Sequence, residues 1–521
     1  MFCDNRIMIG KAGEEIVSIL PAMANRHGLI AGATGTGKTT TLKVMAESFS
    51  AAGVPVFLAD VKGDLSGMPV KGEPNENVDS RVESMGLSEL GFEYDRFPTN
   101  FWDVYGESGM PLRTTVSEMG PLLLSRILDL NDTQSDILTV ISKIADDEGL
   151  LLIDTKDLKA MVRYVSEKRA EYALTYGNLA PQSLAAITRA IVALEAEGGE
   201  QFIGEPAVSI TDWLKQDPDG RGYIQVLDCR KLFLHPRMYS TFLLWLMSEL
   251  FETLPEVGDP EKPVMVFFFD EAHLLFDAAS KALLEKIEHV VKLIRSKGVG
   301  IYFITQSPSD IPDGVLSQLG NKIQHALHAY TPAEQKKLKA AAMAFRENPE
   351  IDTYETLQIL GVGKALVSVL DEDGVPTVVQ QTKIMPPASH MGTIDEETRK
   401  KYVENGNLYL KYLENVDRDS AYEFLERRRV SLEQEQAAQD QENAEKKERE
   451  KAEKEEQKKK TAAEKKAKAA VQQAAKSASG TVGREIGQSI GQTVGGKFGK
   501  KLGGNIGAAL GRGLIGTFFN N

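Results

Sequence analysis

The chain has 521 residues, 42 % apolar and 26 % charged, the balance of a soluble globular protein with length for about two to four domains. Two cysteines, Cys3 and Cys229, exclude a disulfide framework, and the start Met-Phe-Cys-Asp-Asn-Arg lacks the basic and apolar regions of a signal peptide, so a cytoplasmic location is expected. The net charge of −14 divides into +5 over residues 431–521 (17 basic, 12 acidic) and −19 over the rest (44 basic, 63 acidic), which argues against indiscriminate coating of nucleic acid, though not against contact through a narrow channel.

The first 31 residues read as a short lead-in with one hairpin, Ile7-Met-Ile-Gly followed by Glu15-Ile-Val-Ser-Ile. His27-Gly-Leu-Ile-Ala then forms an apolar strand that runs into Gly32-Ala33-Thr34-Gly35-Thr36-Gly37-Lys38-Thr39, a complete G-x-x-x-x-G-K-[ST] loop, with Thr40 opening a helix. The glycines let consecutive N–H groups turn inward around a triphosphate, and the helix adds its positive N-terminal dipole. Lys38 is placed to reach the β- and γ-phosphates of ATP, and the Thr39 hydroxyl to ligate Mg²⁺.

Residues 54–60 form a buried strand with Asp60 at its carboxyl end, and Val61-Lys-Gly-Asp-Leu-Ser-Gly67 turns away from it. The interval 76–215 is mainly helical by pattern (118–130, 134–145, 156–170 and 181–197), an expected insertion within the nucleotide-binding core. A strand at 223–228, an amphipathic helix at 239–252, a continuous apolar strand at 264–270, a helix at 278–296 and a strand at 300–305 follow. Apolar strands separated by helices predict an α/β fold with a mainly parallel sheet covered on both faces. Edge strands are expected at 364–369 and 377–382.

The apolar strand delivers Asp270 and Glu271 to its end, where Asp270 is suited to hold Mg²⁺ and Glu271 to orient and deprotonate the attacking water. Gln306 at the next strand tip is a candidate γ-phosphate sensor or a simple polar cap. Arg295 is either a basic residue at a helix C-terminus or an arginine finger that reaches a neighbouring subunit's phosphate. His273 reads as a structural or coupling residue. Asp270-Glu-Ala-His273 does not by itself make a DEAH-box helicase, since that class needs a second motor domain.

Domain boundaries follow as 1–75 and 216–385 for the two parts of the core, 76–215 for the insertion, 386–430 for a helical segment and 431–478 for a charged helical or disordered arm. In the tail, 479–521, Gly483, Gly487, Gly491, Gly495, Gly499, Gly503, Gly507 and Gly511 recur at intervals of four, each after an apolar residue. A lone aqueous helix would lose roughly 1 kcal/mol per glycine relative to alanine. The open alternatives are therefore a mobile tail, self-association through a small-residue stripe, or contact with a membrane surface.

Several segments together resemble the HerA/FtsK superfamily of ring-forming, RecA-like P-loop ATPases, and more narrowly its bacterial HerA-like, YjgR-type group. They are 27–39, Asp60-Val-Lys-Gly-Asp-Leu-Ser, Phe269-Asp-Glu-Ala-His-Leu-Leu, and Arg295-Ser-Lys-Gly-Val-Gly with Thr305-Gln-Ser-Pro. The resemblance implies a homohexameric motor that uses ATP and Mg²⁺ to move double-stranded DNA, with Gln306 as sensor and Arg295 as trans finger. HerA proper carries an N-terminal β-barrel that docks a nuclease. Only about 25 residues precede the first core strand here, so a nuclease partner is not expected. The competing expectation is an ATPase that acts on protein, as a remodeller or a membrane-associated secretion pump; a nucleotide-gated scaffold is disfavoured by Glu271 and Gln306.

Overall fold

A computed structural model describes residues 1–277, 281–476 and Thr493. The period-four glycine tail lies outside the described residues. Contact density divides the chain into two units, residues 1–425 and 426–521.

The first unit is organised on one 13-stranded sheet. In chain order its strands are β1 (Phe2–Cys3), β2 (Arg6–Ala12), β3 (Glu15–Ile19), β4 (Gly28–Ala31), β5 (Val56–Asp60), β6 (Thr99–Asp103), β7 (Met110–Pro111), β8 (Ile224–Asp228), β9 (Met265–Phe269), β10 (Val299–Thr305), β11 (Asn321–Gln324), β12 (Lys364–Ser368) and β13 (Gln380–Ile384). Their spatial order is β1-β2-β13-β12-β11-β4-β10-β9-β5-β8-β6-β7, with β3 paired to β2. From β11 to β7 all neighbours are parallel, and from β11 back to β1 they are antiparallel.

Parallel strands buried on both faces need apolar residues at successive positions, and β5, β8 and β9 are buried throughout. Their side chains alternate between two cores. Phe57, Leu227, Phe267 and Phe303 face the helical layer. Val56, Leu58, Val226, Phe268 and Ile304 face the helix that follows the phosphate-binding loop, α1 (Lys38–Ala51), through Leu42, Met45 and Phe49.

The interval 76–215 opens with the helix Glu76–Ser84 and is mainly helical, but Thr99–Asp103 within it is a strand of the main sheet beside β8. Its polar residues conceal it: Asn100 and Asp103 are buried, and Trp102 donates to Gln225 Oε1 at 2.8 Å. The expected edge strands are interior, since β12 and β13 connect β11 to the N-terminal hairpin, and the second spans Gln380–Ile384 rather than 377–382. A central strand, Asn321–Gln324, parallel to β4 and antiparallel to β12, carries no apolar run in the sequence, since its only aliphatic residue is Ile323.

The four expected helices of the insertion appear as Val116–Ile127, Asp132–Asp147, Thr155–Glu167 and Pro181–Ala196. The middle two start with Asn131 and Asp154 capping boxes, which satisfy otherwise orphaned N–H groups. Beyond β13, residues 386–394 cross α1 as a strap. Buried Glu47 accepts hydrogen bonds from Ala388 N at 2.7 Å, Ser389 N at 3.1 Å and Ser389 Oγ at 2.5 Å, and Lys43 donates to His390 O. In the second unit the helix Ala421–Lys476 continues as an exposed Glu/Lys/Ala/Gln-rich rod without an apolar seam. Among the described residues no helix is long and apolar enough to cross a membrane.

Candidate nucleotide site

The phosphate-binding loop forms because β4 ends against β10 and β11 and the chain must reverse immediately into α1. Gly32 N donates to Thr305 O at 3.2 Å, and Ala33 N to Ala326 O at 2.9 Å. Gly32, Gly35 and Gly37 have φ of 154°, 79° and 109°. A Cβ on Gly32 would lie 2.5 Å from His325 Cβ, and one on Gly37 3.3 Å from the Gly363 backbone, so these glycines serve close approach as well as backbone freedom.

Beneath the loop, His325 Nε2 lies 2.9 Å from Thr41 Oγ1. Burial pushes the His325 imidazole down to about 4, keeping it neutral. Gly363 N donates to Thr36 O at 3.1 Å, and Arg81 Nη1 holds Gly363 O at 2.9 Å and Ile384 O at 2.7 Å. The loop is therefore braced from the β11 side as well as from β10.

Lys38, Thr39 and Thr40 open α1 with Gly37 as N-cap. The Lys38 side chain is buried and folds back on its own loop, donating to Gly32 O at 2.6 Å and Ala33 O at 3.1 Å. Burial lowers its ammonium from the ordinary lysine range, while Glu271 and Asp270 oppose that shift. A buried ammonium satisfied only by loop carbonyls, facing carboxylates, is the arrangement a phosphate chain would complete.

The strand order β4-β10-β9-β5 brings the carboxylates to the same edge. Asp270 follows β9 directly, is buried, and has its carboxyl pushed up to about 6, chiefly by burial. Its Oδ1 accepts Glu271 N at 2.9 Å, and Glu271 is held at φ 48°, a region that side-chain-bearing residues seldom occupy and that clusters at functional sites. Burial would raise the Glu271 carboxyl, but the hydrogen bond and charge of Lys62 outweigh it and leave it below the usual range. Glu271 Oε1 meets Lys62 Nζ at 2.6 Å, whereas Oε2 has no hydrogen-bond partner and stands 3.5 Å from His273 Nδ1.

Sequence reasoning quoted Lys62 but gave it no role. The pairing was invisible because it needs β5 to lie beside β9. Gln306 follows β10 one residue after the carbonyl that binds Gly32, and its side chain is exposed. Arg295 is not brought to this edge. It lies before β10 with Arg26 and His27, which precede β4, and pairs with Asp259 at 3.2 Å. The seven residues of β10 place it about 20 Å from the loop of its own chain.

The Helicase HerA-like C-terminal family model matches residues 5–508. A probable helicase, MJECL08 of Methanocaldococcus jannaschii, is 30 % identical over 125 residues, 23 % of this chain and 22 % of the relative. The chain thus spans about a fifth of the length of the curated relative it matches. Among solved structures, the bacterial conjugative coupling protein TrwBΔN70 aligns at 15 % identity and a TM-score of 0.48, covering 73 % of this chain and 91 % of that one. VirB4 of Thermoanaerobacter pseudethanolicus aligns at 17 % identity and a TM-score of 0.46, covering 74 % and 98 %. With the family model running almost end to end over a chain whose phosphate loop and acidic pair meet at one sheet edge, the protein belongs to the Helicase HerA-like C-terminal family and is a HerA-like P-loop ATPase.

Proposed function

We propose that this chain hydrolyses ATP as a subunit of a homohexameric ring that moves double-stranded DNA. The observation that carries the reading is the convergence of Lys38, Asp270 and Glu271 on one sheet edge, with Glu271 strained and one of its oxygens unpartnered. The backbone N–H groups of Thr34, Gly35 and Gly37–Thr39 and the Lys38 ammonium would hold the β- and γ-phosphates. Thr39 and Asp270 fit a Mg²⁺ site: the hydroxyl belongs to the first turn of α1, and Asp270 is a buried hard oxygen donor at the end of β9. When bound, the ion would neutralise phosphate charge. Glu271 would orient and deprotonate the attacking water, and Gln306 at the tip of β10 would report the state of the γ-phosphate.

Arg295 suits a role in trans rather than in cis. It sits at the opposite end of β10 from its own loop, its side chain is 40 % exposed, and its partner Asp259 is 66 % exposed, so little would be lost by turning to a neighbour's phosphate.

The test is steady-state ATP hydrolysis by the full chain with Mg²⁺, with and without duplex DNA, beside native mass spectrometry with a slowly hydrolysed ATP analogue. A DNA-stimulated rate and a six-subunit mass are expected. A monomer that hydrolyses ATP indifferently to DNA contradicts the motor. The acidic body, −19 over the first 430 residues, favours a second reading in which the substrate is protein. In that case an unfolded polypeptide, and not DNA, would raise the rate.

A further inference from the structure

Lys62 stands where β5 gives way to a tight turn, and the turn is built to present it. Asp60, the last residue of β5, is buried, and its carboxylate accepts Gly63 N at 2.7 Å and Leu65 N at 3.2 Å. Gly63 takes a φ of 82°, and Ser66 Oγ closes the turn on Gly63 O at 3.0 Å. Because Ala59 pairs with Phe269 across β5 and β9, the turn after one strand faces the turn after the other. Lys62 Nζ thereby reaches Glu271 Oε1 at 2.6 Å.

The two partners differ in freedom. The Glu271 side chain is 11 % exposed and its backbone is held at φ 48°, whereas the Lys62 side chain is 44 % exposed. The ammonium is the member of the pair that can leave. While it stays, Oε1 is occupied, and only Oε2, buried and 3.5 Å from His273 Nδ1, is left to meet a water. Lys62 also feels Asp270 and Asp64, which hold the ammonium at this edge, and it stands close enough to Lys38 for the two positive charges to act on each other, so a terminal phosphate that meets Lys38 comes within its field. The γ-phosphate is the anion that distinguishes a nucleoside triphosphate from a diphosphate.

Building on the ATP-site reading above, we propose that Lys62 is a γ-phosphate-responsive latch: it holds Glu271 in the resting chain and transfers to the terminal phosphate when a nucleoside triphosphate binds, freeing the carboxylate for water. Lys62 is in this sense a positioning residue. It acts on the reaction through Glu271, and it gives the site a means of telling triphosphate from diphosphate.

The experiment measures equilibrium binding of ADP and of a slowly hydrolysed ATP analogue, each with Mg²⁺, to the full chain. Lys62→Ala is expected to weaken the analogue roughly tenfold, the loss of about one charge-assisted hydrogen bond, and to leave ADP within about twofold. Lys62→Arg restores most of the difference, and Lys62→Gln, which keeps the stem without the charge, reproduces the loss if the alanine variant folds poorly. Glu271→Gln, which releases the latch but leaves Lys62, strengthens the analogue relative to ADP, and Lys62→Ala in that background removes the gain. Equal weakening of both nucleotides, or of neither, overturns the latch and leaves the ATP site standing. A parent chain that binds neither nucleotide overturns both.

Discussion

His27, immediately before β4, gives a prediction whose size follows from its environment. Ile301 N donates to its Nδ1 at 3.0 Å, and its Nε2 lies 2.8 Å from Val291 O. Only a neutral ring with its proton on Nε2 satisfies both bonds. Burial, the largest cause, pushes the imidazole down to about 4 from an ordinary 6.5. A base whose folded value is depressed favours folding above its unfolded value, and that contribution is lost as pH falls from about 6.5 toward 4. The full excursion corresponds to about 3 kcal/mol, of which about 2 kcal/mol disappears between pH 7 and pH 5. The parent curve alone would hide it. Burial raises Asp60 to about 7 and Asp270 to about 6, so protonating these carboxyls stabilises the fold over the same interval. The readout is therefore the difference between parent and His27→Asn, which keeps an acceptor for Ile301 N, tolerates the φ of 57° and does not titrate. Urea unfolding followed by the buried Trp102, Trp213 and Trp245 should place the variant about 1–3 kcal/mol below the parent at pH 7, with the gap about 2 kcal/mol smaller at pH 5. A gap that does not change with pH refutes the neutral, doubly bonded assignment.

Gly32→Ala should destabilise the chain by roughly 1–3 kcal/mol and weaken nucleotide binding, because the new methyl would meet both the side chain and the backbone of His325; an unchanged melting temperature and affinity would contradict that contact. Glu271→Gln should bind ATP yet turn it over about 10²–10⁴-fold more slowly, and near-parental turnover would remove Glu271 as the base. In mixed assemblies, Arg295→Ala subunits should depress hydrolysis by more than their share. Strict proportionality to the parental fraction argues against a trans role.

Much of the fold was legible in the sequence because parallel strands buried on both faces announce themselves as apolar runs. The strands at 56–60, 265–269 and 299–305 lie within or beside their expected positions for that reason. Strands whose burial is achieved by hydrogen bonding were not legible. In β11, Asn321 donates to Met23 O and His27 O and accepts from Leu370 N, while Gln324 donates to His325 O. Asn321 can occupy a sheet centre only because Met23, His27 and Leu370 arrive from elements far away in sequence. The phosphate loop and the Asp270–Glu271 pair were visible because each is a local motif. Lys62, His325 and Arg81 were not, since each reaches the site across a strand neighbour or a loop that only the assembled topology supplies.

The central claim is that Glu271 works as base at a nucleotide site coupled to DNA. Its most direct measurement is the rate of phosphate release from ATP by the full chain with Mg²⁺, with and without duplex DNA, for the parent and Glu271→Gln. The account predicts a parental rate that rises on adding DNA and a variant rate lower by at least about a hundredfold in both conditions. Equal rates for the two chains, or a parental rate unmoved by DNA, would contradict it.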